Sequence, residues 1–164
     1  MDHNNYHKVG EHIHMIRHAS LIAILLLLGL GCAKSDDKRT HEKVFNEAIV
    51  CVRNGEEACK SVRDGPSTKS AATALSQEAK RLQELRKEML ALGSPSKTQK
   101  ARVHERESAM VQASQDIMRA VSSATSVVQS GRIPADAAAN WASASMEFGQ
   151  AMTDFGNNLT QLFD

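Results

Sequence analysis

Apolar side chains recur every seven residues through most of the second half of the chain. The strongest repeat lies near the C-terminal end of the sequence and consists of Trp141, Phe148, Phe155 and Leu162. Two weaker repeats precede it: Leu75, Leu82 and Met89, then Val103, Met110, Ile117 and Ala124. A spacing of seven returns each side chain to the same face of an α-helix. The pattern therefore predicts amphipathic helices, each with one buried stripe.

Glycine, proline and small polar residues predict where these helices begin and end. Thr40 is a predicted N-cap for a first helix that ends at Asn54-Gly55, and Ser67 is a predicted N-cap for a second helix that reaches Leu92. Gly93-Ser94-Pro95 is expected to end the second helix and to begin a third that runs to about Ser130, with Ser94 as its N-cap and Pro95 at its first position. Gly131 to Pro134 is expected to separate the third helix from the last. Short connections favour antiparallel neighbours. The sequence thus predicts an all-α fold, an antiparallel helical bundle of about four helices whose first helix is shorter.

Composition agrees with one small helical domain. The chain has 164 residues, only 4% of them aromatic, and Lys and Arg exceed Asp and Glu by a single charge. Few aromatic residues favour helices over sheets, and so small a net charge does not indicate a nucleic-acid partner. We assign the helical-bundle domain to residues 40–164.

An apolar run near the N-terminal end of the sequence predicts export. Residues 21–30 read LIAILLLLGL, with Arg17 before them and a polar stretch from Ala33 onward. A membrane-spanning helix needs about 20 apolar residues, so this run is too short to remain as an anchor. A basic residue, a short apolar run and a small residue are the parts of a secretion signal, which we assign to residues 1–31.

At Gly31-Cys32 the chain resembles bacterial lipoprotein precursors, in which a small residue precedes a cysteine that receives a diacylglyceryl group before cleavage. The resemblance covers about residues 15–36. It implies that Cys32 is lipidated and that residues 32–39 form the lipidated cysteine and a tether. It also implies a location in the cell envelope, anchored to a membrane outside the cytoplasm. Because Ala33 is not Asp, that membrane is the outer one if the envelope has two. The alternative is an ordinary secretion signal with an incidental cysteine.

Histidines are frequent in the first part of the signal segment. His3, His7, His12 and His14 precede Met15, and clustered imidazoles can bind metal ions. However, a signal of ordinary length starts at Met15, which favours a true start there, and these histidines would then be absent from the protein. We therefore predict neither a metal site nor a cofactor.

Two cysteines lie in the predicted helical domain. Cys51 and Cys59 are eight residues apart, which in an unbroken helix is about 12 Å and too far for a disulfide bond. If the helix turns at Asn54-Gly55, the two sulfurs can meet, and an exported chain encounters oxidising conditions. The sequence predicts a disulfide bond, with two buried free thiols as the alternative.

Charged residues in the middle of the chain suggest no chemistry of their own. The basic residues around the second and third helices are Lys80, Arg81, Arg86, Lys87, Lys97, Lys100, Arg102 and Arg106, and glutamates are interspersed among them. This mixture predicts a solvated face; a basic docking patch would need the acidic residues segregated on another side. His104 lies in the same charged stretch and is expected to be solvated.

No phosphate-binding loop, carboxylate pair or nucleophile motif is present, so we predict that the protein is not an enzyme. The predicted function is that of a membrane-anchored envelope lipoprotein with a structural or protein-interaction role, its partner another envelope protein. The alternative is a carrier of a small apolar ligand, held between the aromatic stripe and Met89, Met110 and Met152.

Overall fold

Four α-helices account for nearly all of residues 38–163, the part of the chain that the computed structural model describes. They are α1 (His41–Lys60), α2 (Gly65–Ala91), α3 (Lys97–Val128) and α4 (Ala135–Phe163). No strand occurs in this range. The all-α fold with a shorter first helix is confirmed: α1 has 20 residues, and the other three have 27 to 32. The signal, Cys32 and most of the tether lie outside the described residues.

The N-terminal ends of α1, α2 and α3 are fixed by side-chain caps, and two of these differ from the prediction. Thr40 caps α1 as expected, accepting a hydrogen bond from the Lys43 amide at 3.3 Å. The cap of α2 is Asp64, not Ser67; Ser67 instead completes a reciprocal capping box, because each residue's amide donates to the other's side chain at 2.9 Å. For α3 the cap is Ser96 instead of Ser94, and it forms the same kind of box with Gln99.

The predicted break at Asn54-Gly55 is wrong, because α1 continues through both residues. Gly55 is buried and faces the ring of Phe148 in α4. A Cβ atom at this position would lie 2.8 Å from Phe148 Cζ and 3.4 Å from Leu75 Cδ2. Glycine at position 55 therefore permits a close approach across the core and does not form a turn. The glycines that do end helices are Gly93 and Gly131, whose φ angles of 71° and 77° favour a residue without a side chain.

The helices form a bundle in which α1 packs against α2 and α3, and α2 also packs against α4. Helices that are consecutive in the chain run in opposite directions, so the adjacent pairs α1–α3 and α2–α4 are parallel. The backbones of α3 and α4 approach closely at few points. The edge of the His41 ring lies against Phe163 with centroids 5.8 Å apart, so α1 begins beside the end of α4. Around the bundle the order is α1, α2, α4, α3, and the connection from α2 to α3 crosses a diagonal.

The aromatic stripe of α4 lies in the core, as the sequence predicts. Trp141, Phe148 and Phe155 are buried, and they pack with leucines of α2 and with alanines from several helices. Trp141 Nε1 donates to Thr125 Oγ1 of α3 at 3.2 Å, which satisfies the one polar atom of the indole ring. Burying a large aromatic side chain is worth about 1.5–3 kcal/mol, so this stripe is a major source of stability.

A cluster of four charged side chains fixes the point where the chain enters α1. Arg39 pairs with Glu47 of α1 and Glu88 of α2, and Arg81 donates to Glu47 at 2.7 Å. The hydrogen bonds from Arg39 lower the pKa of Glu47 below its usual range. The last residues before α1 are therefore held against the seam between α1 and α2.

The same glycine-to-alanine change should have opposite effects at two helical positions. Gly55→Ala should destabilise the domain by about 1–3 kcal/mol, because its methyl group overlaps the packed Phe148 ring. Gly149→Ala in α4 should stabilise the domain by up to about 1 kcal/mol, because no atom lies within 4 Å of the added Cβ and alanine is the better helix former. Denaturant unfolding of both variants measures this. Equal effects would contradict the close contact at Gly55.

Candidate functional site

The charges of α4 are confined to the side that packs against α2. This helix has only three charged residues, all acidic. Asp136 pairs with Lys69 at 2.6 Å, Glu147 accepts from Ser76 at 3.0 Å, and Asp154 lies 4.0 Å from Arg86. All three partners are in α2, so the edge of α4 that faces α3 has no charged side chain.

The neighbouring part of α3 is also nearly free of charge. From Ser108 to Val128 it has two charged residues, Asp116 and Arg119, which pair with each other. Lys60 of α1 is near enough to Asp116 to contribute to the lowering of its pKa, after the hydrogen bonds from Gln112 and Arg119. This places the pair toward α1 and away from α4.

These two edges form one uncharged surface, which we call the α3–α4 face. Its members from α3 are Met110, Val111, Ser114 and Met118, and those from α4 are Ser145, Met146, Gly149, Met152 and Gly156. Val111, Met118 and Met146 are exposed by 55%, 62% and 75%, high values for large apolar side chains. The face thus combines projecting apolar side chains with positions that have small side chains or none.

Two shallow clefts lie along this face. One, of about 90 Å³, is lined by Met110, Ser114, Met152 and Gly156 together with core residues. The other, of about 250 Å³, is nearer the end of α4 and is lined by Val111, Glu107, Leu159 and Phe163 among others. Both clefts open between α3 and α4, the two neighbouring helices whose backbones approach each other least closely.

The two glycines of the face are not required by the fold. A Cβ built at Gly149 or Gly156 meets no atom within 4 Å, and neither residue has a positive φ. Glycine inside a helix costs roughly 1 kcal/mol relative to alanine. The glycines leave open positions beside the exposed methionines, where another backbone could approach closely.

The structure brings together only part of the predicted ligand-binding set. Met110 and Met152 lie across the seam from each other and line the smaller cleft, together with Phe155 of the aromatic stripe. Met89 is buried elsewhere in the core and does not line either cleft. His104 is exposed and its Nδ1 lies 2.8 Å from Glu107.

The predicted disulfide between Cys51 and Cys59 is wrong. Both residues lie in the uninterrupted helix α1, eight positions apart, and both are buried free thiols. Burial raises the pKa of each thiol to about 12, and for Cys51 the nearby carboxylate of Glu78 adds to the increase. The prediction fails because Gly55 continues helix α1 and permits close packing against Phe148 instead of forming a turn. The lipidation residue Cys32 lies outside the described residues.

Within residues 38–163 no group of three or more His, Cys, Asp or Glu side chains could hold a metal ion. None of the helices in this range is both long enough and apolar enough to cross a membrane. Searches against family models, curated proteins and solved structures found no match to this chain.

Sequence reasoning did not identify the α3–α4 face. The heptad repeats point to buried positions, whereas Val111, Met118 and Met146 fall outside those repeats. The signal that could have found the face is the pair Gly149 and Gly156, two glycines seven residues apart inside a helix where a packed side chain would be expected.

The two thiols should be unreactive in the folded protein. At neutral pH the thiolate is the reactive form, and a pKa near 12 together with burial leaves almost none accessible. We expect iodoacetamide to modify neither Cys51 nor Cys59 until the chain is unfolded, and to modify both afterwards, as read by peptide mass spectrometry. A cross-linked Cys51–Cys59 peptide from the non-reduced protein would contradict the free-thiol assignment.

Proposed function

We propose that this protein is a non-enzymatic envelope lipoprotein, anchored through Cys32, whose domain associates with a second copy of itself through the α3–α4 face. The observation that carries the protein-contact part is the sorting of charge on α4: all of its acidic side chains contact α2, and the edge beside α3 is uncharged, with exposed Val111, Met118 and Met146 nearby. Depletion of charge with enrichment of methionine is typical of protein interfaces.

A second copy fits this face because a two-fold interface places each surface against itself. A charged face would then repel its copy, and the α3–α4 face has no such charges over most of its length. The face also has apolar side chains that project from it and glycines that leave space for them. Val111 in α3 and Gly149 in α4 are at similar heights, within about one helical turn, since each lies 14 residues from the end of its helix near Phe163. A two-fold axis parallel to the helices therefore places Val111 of one copy opposite Gly149 of the other.

The size of the face is adequate for a dimer. The nearly uncharged part of α3, from Ser108 to Val128, has 21 residues and is about 30 Å long. Two adjacent helices are about 20 Å across, so the α3–α4 face covers on the order of 600 Å² if it is treated as flat. Projecting side chains increase this area. Stable interfaces bury about 600–1,000 Å² on each partner, so this area is at the lower end of the range.

The same axis suits a tethered protein. Parallel copies keep both N-terminal connections on one side, where Arg39 is held by Glu47 and Glu88. The resemblance at Gly31-Cys32 supports the lipid anchor on that side. Two anchored copies share a membrane plane, which raises their effective concentration.

The ligand-carrier alternative has less support. The clefts beside Met110 and Met152 hold about 90 and 250 Å³. Binding sites for small molecules usually enclose about 300–1,000 Å³. Both clefts are also open to solvent at the surface, so they fit the margin of a protein interface better than an enclosed apolar site.

The anchor is tested by Cys32→Ser. In the wild type, a fatty-acid probe should label the protein, and cleavage before Cys32 should shorten it. The variant should be exported, uncleaved by the lipoprotein peptidase and unlabelled, because serine has no thiol to receive the diacylglyceryl group. Metabolic labelling with membrane fractionation measures both properties. Equal labelling of the two proteins would end the lipoprotein proposal.

The interface is tested by Met118→Lys combined with Met146→Lys. Burying unpaired charges costs several kcal/mol, so dimer affinity should fall about 100-fold or more. The melting temperature should change little when it is measured at concentrations too low for dimers to form. Cross-linking between two differently tagged copies in membranes measures the association. Val50→Lys is the matched control, because Val50 is a similarly exposed apolar residue on α1. Absence of a wild-type dimer, or a dimer that survives both lysines, would contradict the proposal.

A further inference from the structure

One end of the bundle is the place where the tether joins the domain. At this end α1 and α3 begin and α2 and α4 finish. His41 Nε2 lies 2.9 Å from the Gly93 carbonyl oxygen, and Lys100 Nζ donates to the Phe163 carbonyl at 2.6 Å. These contacts join the four helix ends, and we call this region the tether end.

Basic residues are concentrated at the tether end. Counting Lys38, Arg39, the seven residues at each helix end and the connection between α2 and α3, it has eight basic and three acidic side chains. The basic side chains are those of Lys38, Arg39, Lys43, Arg86, Lys87, Lys97, Lys100 and Arg102. The opposite end, counted with the same seven-residue ends and its two connections, has four of each sign. The described domain therefore has a strong charge difference between its two ends.

The acidic residues at the tether end do not remove this excess. Glu47 and Glu88 are engaged by Arg39 and Arg81, and Glu42 lies 3.7 Å from Arg102. Lys87 and Lys97 are exposed, and the hydrogen bond of Lys100 goes to an uncharged carbonyl.

The helix dipoles do not change this balance. Two N-terminal ends and two C-terminal ends meet at the tether end, so their partial charges offset one another. The potential at this end of the described domain is therefore set by its side chains.

We propose that the tether end rests on the anionic phospholipid headgroups of the bilayer that holds the protein. This inference builds on the proposed anchor at Cys32. Six residues separate Cys32 from Arg39, and an extended chain of that length spans about 20 Å. The tether therefore keeps the basic end, and not the neutral one, within reach of the headgroups. Basic side chains near an anionic surface each increase binding by about fivefold.

The same arrangement sets the orientation of the domain. The helices stand with the tether end toward the membrane, and the α3–α4 face remains accessible from the side. Contact with headgroups and contact with a second copy therefore use different surfaces and do not compete.

Lysine reactivity in vesicles tests this proposal on the full chain. The lipidated protein is placed in vesicles of phosphatidylcholine alone or of phosphatidylcholine with phosphatidylglycerol, and an amine-reactive acylating reagent is added. We expect Lys87 and Lys97 to react several-fold more slowly when phosphatidylglycerol is present. Lys60 and Lys69 at the opposite end are internal controls and should react equally in both. Protection should disappear near 1 M salt, where the Debye length is about 3 Å.

Three outcomes would overturn the proposal. The first is that Lys87 and Lys97 each react at the same rate in both kinds of vesicle. The second is that these lysines are protected only in vesicles of phosphatidylcholine alone. The third is that the lysines at both ends of the domain are protected equally. The second outcome would indicate contact with protein instead of anionic lipid. A charge variant adds a check: Lys87→Glu with Lys97→Glu should abolish protection of Lys100, whereas Lys60→Glu with Lys69→Glu should preserve it.

Failure of the anchor can be told apart from failure of the surface contact. The same peptide digest shows whether Cys32 has acyl chains. If it has none, the chain is coupled through the Cys32 thiol to maleimide-bearing lipid in the same two vesicle types. Cys51 and Cys59 are buried with raised pKa values and do not compete for the maleimide. The lysine pattern then tests the tether end whether or not the natural anchor exists.

Discussion

The contact between Gly55 and the Phe148 ring sets the distance between α1 and α4 across the core. These helices lie on a diagonal of the bundle, so their separation determines how far α2 and α3 stand apart as well. Phe148 is flanked on the same stripe by Trp141 and Phe155, and all three rings are buried. This chain has few aromatic residues, and it obtains a dense interior by packing large rings against positions with small side chains or none. The rest of the domain is arranged around this contact.

Much of the fold follows from local sequence signals. Heptad spacing identifies the buried stripes of three helices, and the glycines at positions 93 and 131 mark two connections. The errors arise where one residue type serves two purposes. Glycine permits both a left-handed turn and a close approach, and at position 55 only the partner ring, distant in sequence, distinguishes them. The disulfide prediction depended on that choice and failed with it.

The α3–α4 face was missed for a different reason, because the two glycines at positions 149 and 156 indicate an open surface only when the neighbours of α4 are known. Asp136, Glu147 and Asp154 are 11 and 7 residues apart, which places them on one side of α4, but nothing local shows that this side meets α2 and not α3. An uncharged edge exists only because these contacts place the charge elsewhere. The basic tether end has a similar origin, since it combines residues from the beginnings of two helices and the end of a third. Both surfaces are products of tertiary arrangement, and both proposals depend on it.

The order of the helices along the chain also affects when the core can form. The three large rings of α4 come from the last 29 residues of the described domain, and they pack against α1 and α2 near its beginning. A ribosome adds about 5–20 residues per second, so several seconds separate the appearance of α1 from that of α4. During that interval the growing chain has apolar stripes and Phe45 but lacks the three rings of α4 that complete the core. The core of this domain is therefore completed only after α4 has been synthesised, so α1, α2 and α3 remain without their largest packing partners until then.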